Sequence, residues 1–231
     1  MIKIEEVDVW GFKHAIRGMR NPMNSWDKSD SGYNCVYNET ELCDTHCTAD
    51  NYCDRRTSKF IIGKNDLDLM HRLFIGGTEH RKFMRMIHVS MDVTAPLYWW
   101  KEYDTYKVST VANSCSTMHK IHAKEFTLDD FSTDHLTEDV SCKAFLQMIE
   151  ALNFNRDMFI ETKDKKWWWQ MIQLLPSSYN QKRTLDLNYE TAVQIIRQRT
   201  GHKLDEWHTF VDTLWDLPYM REIVGDQDEQ K

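Results

Sequence analysis

The chain has 231 residues, of which 41% are hydrophobic, with a formal net charge of -7 and a pI of about 5.8. That size and apolar content suit one large domain or two small ones with a substantial core. The acidic balance excludes a general binder of nucleic acid or of anionic membranes, while leaving room for a local basic pocket.

Ile2 to Val9 alternates apolar and polar residues and is predicted as a half-buried strand. Met1 to Asp8 is acidic and lacks the basic and apolar regions of a signal peptide, so a cytoplasmic protein with reduced thiols is expected. Phe12 to Met19 reads as a short helix ended by Asn21-Pro22. Asn24 to Asn51 is rich in polar residues without an apolar period and reads as a long loop or insertion, reaching to about 60. Asn65-Asp66 starts a helix that Gly76-Gly77 stops. Phe83 to Val93 is predicted as a strand, with one slip in its alternation. Pro96 opens a helix through Tyr103. Val108 to Met118, rich in Ser, Thr and Asn, suits an ordered polar loop, and Thr127 to Asp130 is a helix-start signal. Leu136 to Leu152 and Arg156 to Leu175 carry helical periods. Ser177 to Leu187 is extended, and Tyr189 to Arg199 and Leu204 to Tyr219 are helices. The tail, Gly225 to Lys231, is expected to fray.

These elements make a single α+β domain over 1–231: a small antiparallel sheet with several long helices. There is no βαβ rhythm and no Gly-x-Gly-x-x-Gly, which speaks against a Rossmann cofactor site. No apolar run is long enough for a transmembrane helix, so no membrane partner is expected.

Six cysteines are present, and four of them, Cys35, Cys43, Cys47 and Cys53, fall in the polar insertion with His46. They lack the paired Cys-x2-Cys steps of a zinc knuckle, so incidental thiols are the preferred reading and zinc binding the alternative. His119 and His122 have a metal-compatible spacing with no third ligand in view, and no metal site is assigned. Trp167-Trp168-Trp169 lies on a helix, where neighbouring side chains point about 100° apart. One stacking platform is thereby excluded, and core or subunit contact is expected.

Two stretches in order carry a specific resemblance. Glu79-His80 precedes the predicted strand and the Pro96 helix, and Tyr106 to His119 follows, with Asn113, Ser114 and Ser116. Later, Leu175-Pro176 leads to Lys182, then to Asn188, Glu190, Thr191, Ile195, Ile196 and Arg199, and to His202 through Glu206. Taken together, Asp66 to Leu217 resembles the flavin-dependent thymidylate synthases, whose signatures are a Glu-His pair, RHRxxSxNxxSxRY, a Leu-Pro, NxRSLxxFLxLR and HAQxEI. Asn113 and Ser116 take the asparagine and second serine of the first signature. In a register one residue earlier, Lys107 takes its second arginine, while the first is absent. Lys182 stands where the family has an arginine in an extended segment, Asn188 matches the helix-opening asparagine, and Arg199 keeps the terminal arginine. Glu190 replaces the first arginine of that helix.

The resemblance implies reductive methylation of dUMP or a related pyrimidine nucleotide. FAD would be the cofactor, and NADPH and methylenetetrahydrofolate the co-substrates. It also implies a homotetramer with shared active sites. Lys107, Ser116, Lys182 and Arg199 are the implied nucleotide contacts, and Glu79, His80, Asn113, Asn188 and His202 the implied flavin contacts. No catalytic side chain is assigned, because the family uses no protein nucleophile. The lost arginines lead to an expectation of weak FAD binding. The alternative is a non-catalytic homo-oligomeric relative. Lys182 and Arg199 are expected to converge on one anion.

Overall fold

The computed structural model describes residues 2–35 and 58–225. In chain order its elements are β1 (Lys3–Trp10), α1 (Phe12–Arg20), β2 (Gly32–Cys35), β3 (Ser58–Ile61), α2 (Lys64–Ile75), β4 (His88–Pro96), α3 (Leu97–Tyr103), β5 (Thr110–Ser114), α4 (Thr117–Lys120), α5 (Asp139–Thr162), α6 (Lys165–Leu174), β6 (Asn180–Asn188), α7 (Tyr189–Arg199), α8 (Asp205–Trp215) and α9 (Met220–Val224). Short 3-10 turns cover Asn21–Met23, Trp26–Lys28, Arg81–Met86 and Leu128–Asp130. The expected α+β class holds: helices accompany a small antiparallel sheet in the order β1-β4-β6-β5, and β2 pairs with β3 alone. The chain divides into two compact units, 1–8, 89–187 and 194–214 in the first, and 9–88, 188–193 and 215–231 in the second.

In the first unit, β4 and β6 alternate buried Val89, Met91, Val93, Gln181, Leu185 and Leu187 with more open Ser90, Asp92, Lys182, Thr184 and Asp186. One sheet face is therefore a core wall and the other is polar. An aromatic cluster fills the core. Trp99 stacks on Tyr103 at 5.3 Å and meets Trp207 at 4.7 Å and Phe210 at 5.2 Å, joining α3 to α8. Burying such rings contributes about 1.5–3 kcal/mol each. A second cluster, with Ile121, Phe126, Phe131, Ile149, Leu152 and Met171, sits under the α5–α6 hairpin.

In the second unit, α1 buries Phe12, Ala15, Ile16 and Met19, and Phe12 meets Tyr189 and Tyr219 edge-on. Gly11 has φ 102 and Gly has no Cβ; one placed there would lie 2.0 Å from the Met86 carbonyl oxygen. The first turn of α2 is capped from a distance, since Asn65 N and Asp66 N donate to the two Asp30 carboxylate oxygens at 2.9 and 3.1 Å. Beneath that cap, fully buried Asp66 accepts from Arg20 Nε, Ser29 Oγ and Ser31 Oγ, each at 2.6 Å.

Several expectations are corrected. Arg81–Met86 is a 3-10 turn and the strand starts only at His88, because Phe83 and Met84 are both buried, which strict alternation forbids. Val108 to Met118 is not all loop: Thr110–Ser114 pairs antiparallel with β6 as an exposed edge strand. Pro96 ends β4 as the N-cap of α3 instead of lying in its first turn. One helix runs unbroken from Asp139 to Thr162, and the break comes at Lys163, with φ 56, before Asp164 caps α6. The last predicted helix, Leu204 to Tyr219, stops early at Trp215, and a separate short helix, α9, follows beyond the predicted range. Within the polar insertion, Trp26–Lys28 forms a turn and β2 pairs with β3. The side chains of the four clustered cysteines, and with them the zinc alternative, lie outside the described residues, as does the tail beyond Gly225. Trp168 is half-buried and packs against the second core cluster, Trp167 is half-buried, and Trp169 is 46% exposed, so only part of this run serves the core. No helix among the described residues is long and apolar enough to cross a membrane.

Candidate functional site

The second unit gathers Glu79, His80 and Asn188 about one ion pair. After Gly76 and Gly77 end α2, His80 N donates to the Gly77 carbonyl at 3.0 Å and the chain turns tightly, leaving Glu79 and His80 exposed. The next side chain, Arg81, lies over the Phe74 ring at 5.3 Å, and its Nε donates to Glu190 Oε1 at 3.0 Å. Asn188 is buried because Oδ1 accepts from Thr191 N at 2.9 Å, making it the N-cap of α7. Tyr189 N donates to the Ile87 carbonyl at 3.0 Å and fixes the start of that helix.

The first unit holds the rest in two separate groups. Lys182 stands on the polar sheet face, where its Nζ is 2.8 Å from Asp92 and 3.8 Å from Glu5. The hydrogen bond with Asp92 raises the Lys182 pKa, while those from Lys182 and Thr184 hold the Asp92 carboxyl below its usual range. The β5–β6 register sets Asn113 opposite Thr184, and Cys115 N donates to the Lys182 carbonyl at 2.9 Å. Asn113 therefore shares the face of Lys182. Ser116 caps α4 by accepting from His119 N at 3.1 Å, and Lys107 is exposed in the turn before β5.

Arg199 belongs to the other group. Its Nε donates to the Tyr106 hydroxyl at 2.9 Å and its NH1 to Glu102 Oε2 at 2.7 Å, and its guanidinium lies 4.4 Å over the Trp207 ring. Trp207 Nε1 donates to the same Glu102 oxygen at 3.0 Å. Leu204 N donates to His202 Nδ1 at 3.2 Å, and His202 Nε2 lies 3.2 Å from Glu102 Oε2 and 3.1 Å from Arg199 NH1. Arg199 and His202 are thus brought together around Glu102. Within the protomer, Lys182 and Arg199 answer to different carboxylates.

The sequence reading missed a common pattern. Arg81 with Glu190, Lys182 with Asp92, and Arg199 with Glu102 are each cation and carboxylate in contact. An anion arriving at any of them competes with a resident carboxylate. Local sequence offered no signal for this, since Arg81 and Glu190 are 109 residues apart and Arg199 and Glu102 are 97 apart. Lys107 is exposed and has no ion pair among the described residues. No grouping of three or more His, Cys, Asp or Glu among the described residues is placed to hold a metal ion. His122 Nδ1 is buried beside Phe159 with no hydrogen-bond partner among the described residues.

No family model and no curated protein matches the chain by sequence. Its fold does match solved structures. The flavin-dependent thymidylate synthase ThyX from Helicobacter pylori, complexed with FAD and dUMP, aligns at a TM-score of 0.62 and 14% identity, over 95% of this chain and 96% of that one. A second structure of Helicobacter pylori ThyX with FAD and dUMP aligns at 0.62 and 12% identity over 100% of both chains. The UMP/dUMP methylase PolB from Streptomyces cacaoi, bound with 5-Br UMP, aligns at 0.59 and 12% identity over 96% and 93%. The chain therefore has the fold of flavin-dependent thymidylate synthases, as its ordered motifs implied.

Proposed function

We propose that this chain is a divergent flavin-dependent thymidylate synthase-like protein that acts on dUMP or a related pyrimidine nucleotide. It works in the cytoplasm as a homotetramer, with FAD as cofactor and NADPH and methylenetetrahydrofolate as co-substrates. The observation that carries this reading is the end-to-end fold match with proteins solved with FAD and dUMP and with 5-Br UMP. Bound FAD would carry the reducing equivalents that NADPH supplies, and the residues of the chain bind and orient.

Donor chemistry separates the expected contacts. Glu79, His80 and Asn113 are exposed, with side chains that no hydrogen bond among the described residues occupies, and they fit a flavin. Asn188 and His202 spend their hydrogen bonds on α7, Glu102 and Leu204, and act as positioning residues. Arg81 takes the place of the arginine lost at 190 as the cation of that region. Lys107, Ser116 and Lys182 contact the nucleotide, and Arg199 shapes the wall beside them. The test is tritium release from C5-labelled dUMP with FAD, NADPH and methylenetetrahydrofolate. Slow release, well below about 1 per second, is expected.

A second reading, a non-catalytic relative that keeps the oligomer, draws on the three occupied cations. It predicts no tritium release and no flavin spectrum on mixing with FAD.

A further inference from the structure

We propose that the second unit carries a ligand site of its own, a cleft between α1 and the β2–β3 pair that takes a planar aromatic ring bearing a phosphate, the chemistry of a mononucleotide. The cleft shares no residue with the contacts considered above. Its volume is about 200 Å³, below the roughly 300–1,000 Å³ of drug-sized sites. It therefore suits a mononucleotide fragment and not a dinucleotide.

Charge argues for the phosphate. Lys13 and Arg17 stand one helical turn apart on the outer side of α1, both exposed, and neither has a carboxylate partner among the described residues. Like charges at this spacing disfavour the helix, and a bound anion removes that penalty. The floor is neutral, because buried Arg20 is paired with buried Asp66, whose other oxygen accepts from Ser29 and Ser31. The nearby acid Asp30 is turned toward α2, capping Asn65 N and Asp66 N. Two cations with no carboxylate partner among the described residues thus line a recess in a chain of net charge -7. Arginine offers a phosphate two parallel donors.

Aromatic rings argue for the base. Trp26 is 45% exposed, yet its indole N–H is anchored on Asn21 Oδ1 at 2.8 Å, so the ring is held while its surface stays open. Tyr33 is 62% exposed, packs edge-on to Phe60 at 5.2 Å, and has Lys13 Nζ 5.8 Å above it. A base stacks on such rings with little sequence preference. Between them, a Cβ at Gly32 would meet nothing within 4 Å, so the mouth is clear.

The test is calorimetric titration of the intact chain with AMP, with adenosine and inorganic phosphate as separate arms. A purine is used so that the pyrimidine site does not answer for it, and the Arg81 and Lys182 variants below separate this binding from that of the adenylate half of FAD or NADPH at the site proposed above. One AMP is expected per chain, with adenosine and phosphate each at least tenfold weaker. Arg17→Ala and Trp26→Ala each weaken AMP at least tenfold, and the exposed double change Lys13→Glu with Arg17→Glu abolishes it. Lys182→Ala and Arg81→Ala leave it unchanged. The proposal is overturned if AMP gives no heat at millimolar concentration or if phosphate alone binds as well. It is equally overturned if binding survives at Arg17 and Trp26 but is lost at Lys182 or Arg81. The outcome is independent of whether dUMP turns over.

Discussion

Glu190→Gln and Arg81→Ala should move flavin binding in opposite directions. Arg81 Nε lies 3.0 Å from the Glu190 carboxylate, and the two side chains are only 13% and 19% exposed. At that distance and an effective dielectric of about 20, two unit charges attract by roughly 5–6 kcal/mol before desolvation is subtracted. Couplings between residues in contact run from about 0.5 to 3 kcal/mol. Glu190 also occupies the first turn of α7, where a negative charge contributes about 0.3–1 kcal/mol. Glu190→Gln should therefore cost on the order of 1–3 kcal/mol, at about 2–4 °C of melting temperature per kcal/mol. It also releases Arg81 from its carboxylate. A charge-assisted hydrogen bond contributes about 1.5–3 kcal/mol, or roughly tenfold to a hundredfold in affinity. Glu190→Gln should thus melt lower yet bind FAD about tenfold more tightly, whereas Arg81→Ala should melt lower and bind more weakly. Flavin absorbance titration beside a thermal melt reads both. If the two variants weaken FAD equally, the pair is only scaffold and the argument for Arg81 fails.

Arg199→Ala should lower the melting temperature through the loss of Glu102, Tyr106 and Trp207 contacts, by about 1–3 kcal/mol, and turn Trp207 fluorescence toward a wetter environment. A variant that melts normally but loses dUMP would instead make Arg199 a direct ligand. Asp66→Asn strands Arg20 in the interior and should cost about 3–5 kcal/mol in a denaturant titration; a change under 1 kcal/mol would refute the buried pair. Burial pushes the Asp66 carboxyl up, but hydrogen bonds from Ser29, Ser31 and Arg20 outweigh it and hold it below the usual range. A depressed folded pKa gives stability that is full above the unfolded value of about 3.9 and lost as pH falls through the folded one. Melting temperature should therefore drop on acidification below about pH 4, and Asp66→Asn should flatten that limb. Light scattering at micromolar concentration should report a tetramer, and a stable monomer would remove the shared-site arrangement.

The sequence by itself determined the fold family and most helices, for local reasons. α1, α2 and α7 were legible because amphipathic period and the stop signals at Asn21-Pro22 and Gly76-Gly77 act within a few residues. The Thr127–Asp130 capping box was visible for the same reason. Motif order from Glu79 to His202 was enough to indicate the fold, since it needs no knowledge of which groups touch. Tertiary structure decided the rest. Thr110–Ser114 is polar and mostly exposed, and it is a strand only because β6 offers it hydrogen bonds. Phe83 and Met84 face the core together only because the chain tightens into a 3-10 turn. Above all, which carboxylate each cation holds was settled by folding. Lys182 and Arg199 look like free ligand groups in the sequence and Arg81 draws no notice there, but Asp92, Glu102 and Glu190 reach the three across the fold, and electrostatic contact depends on distance in space.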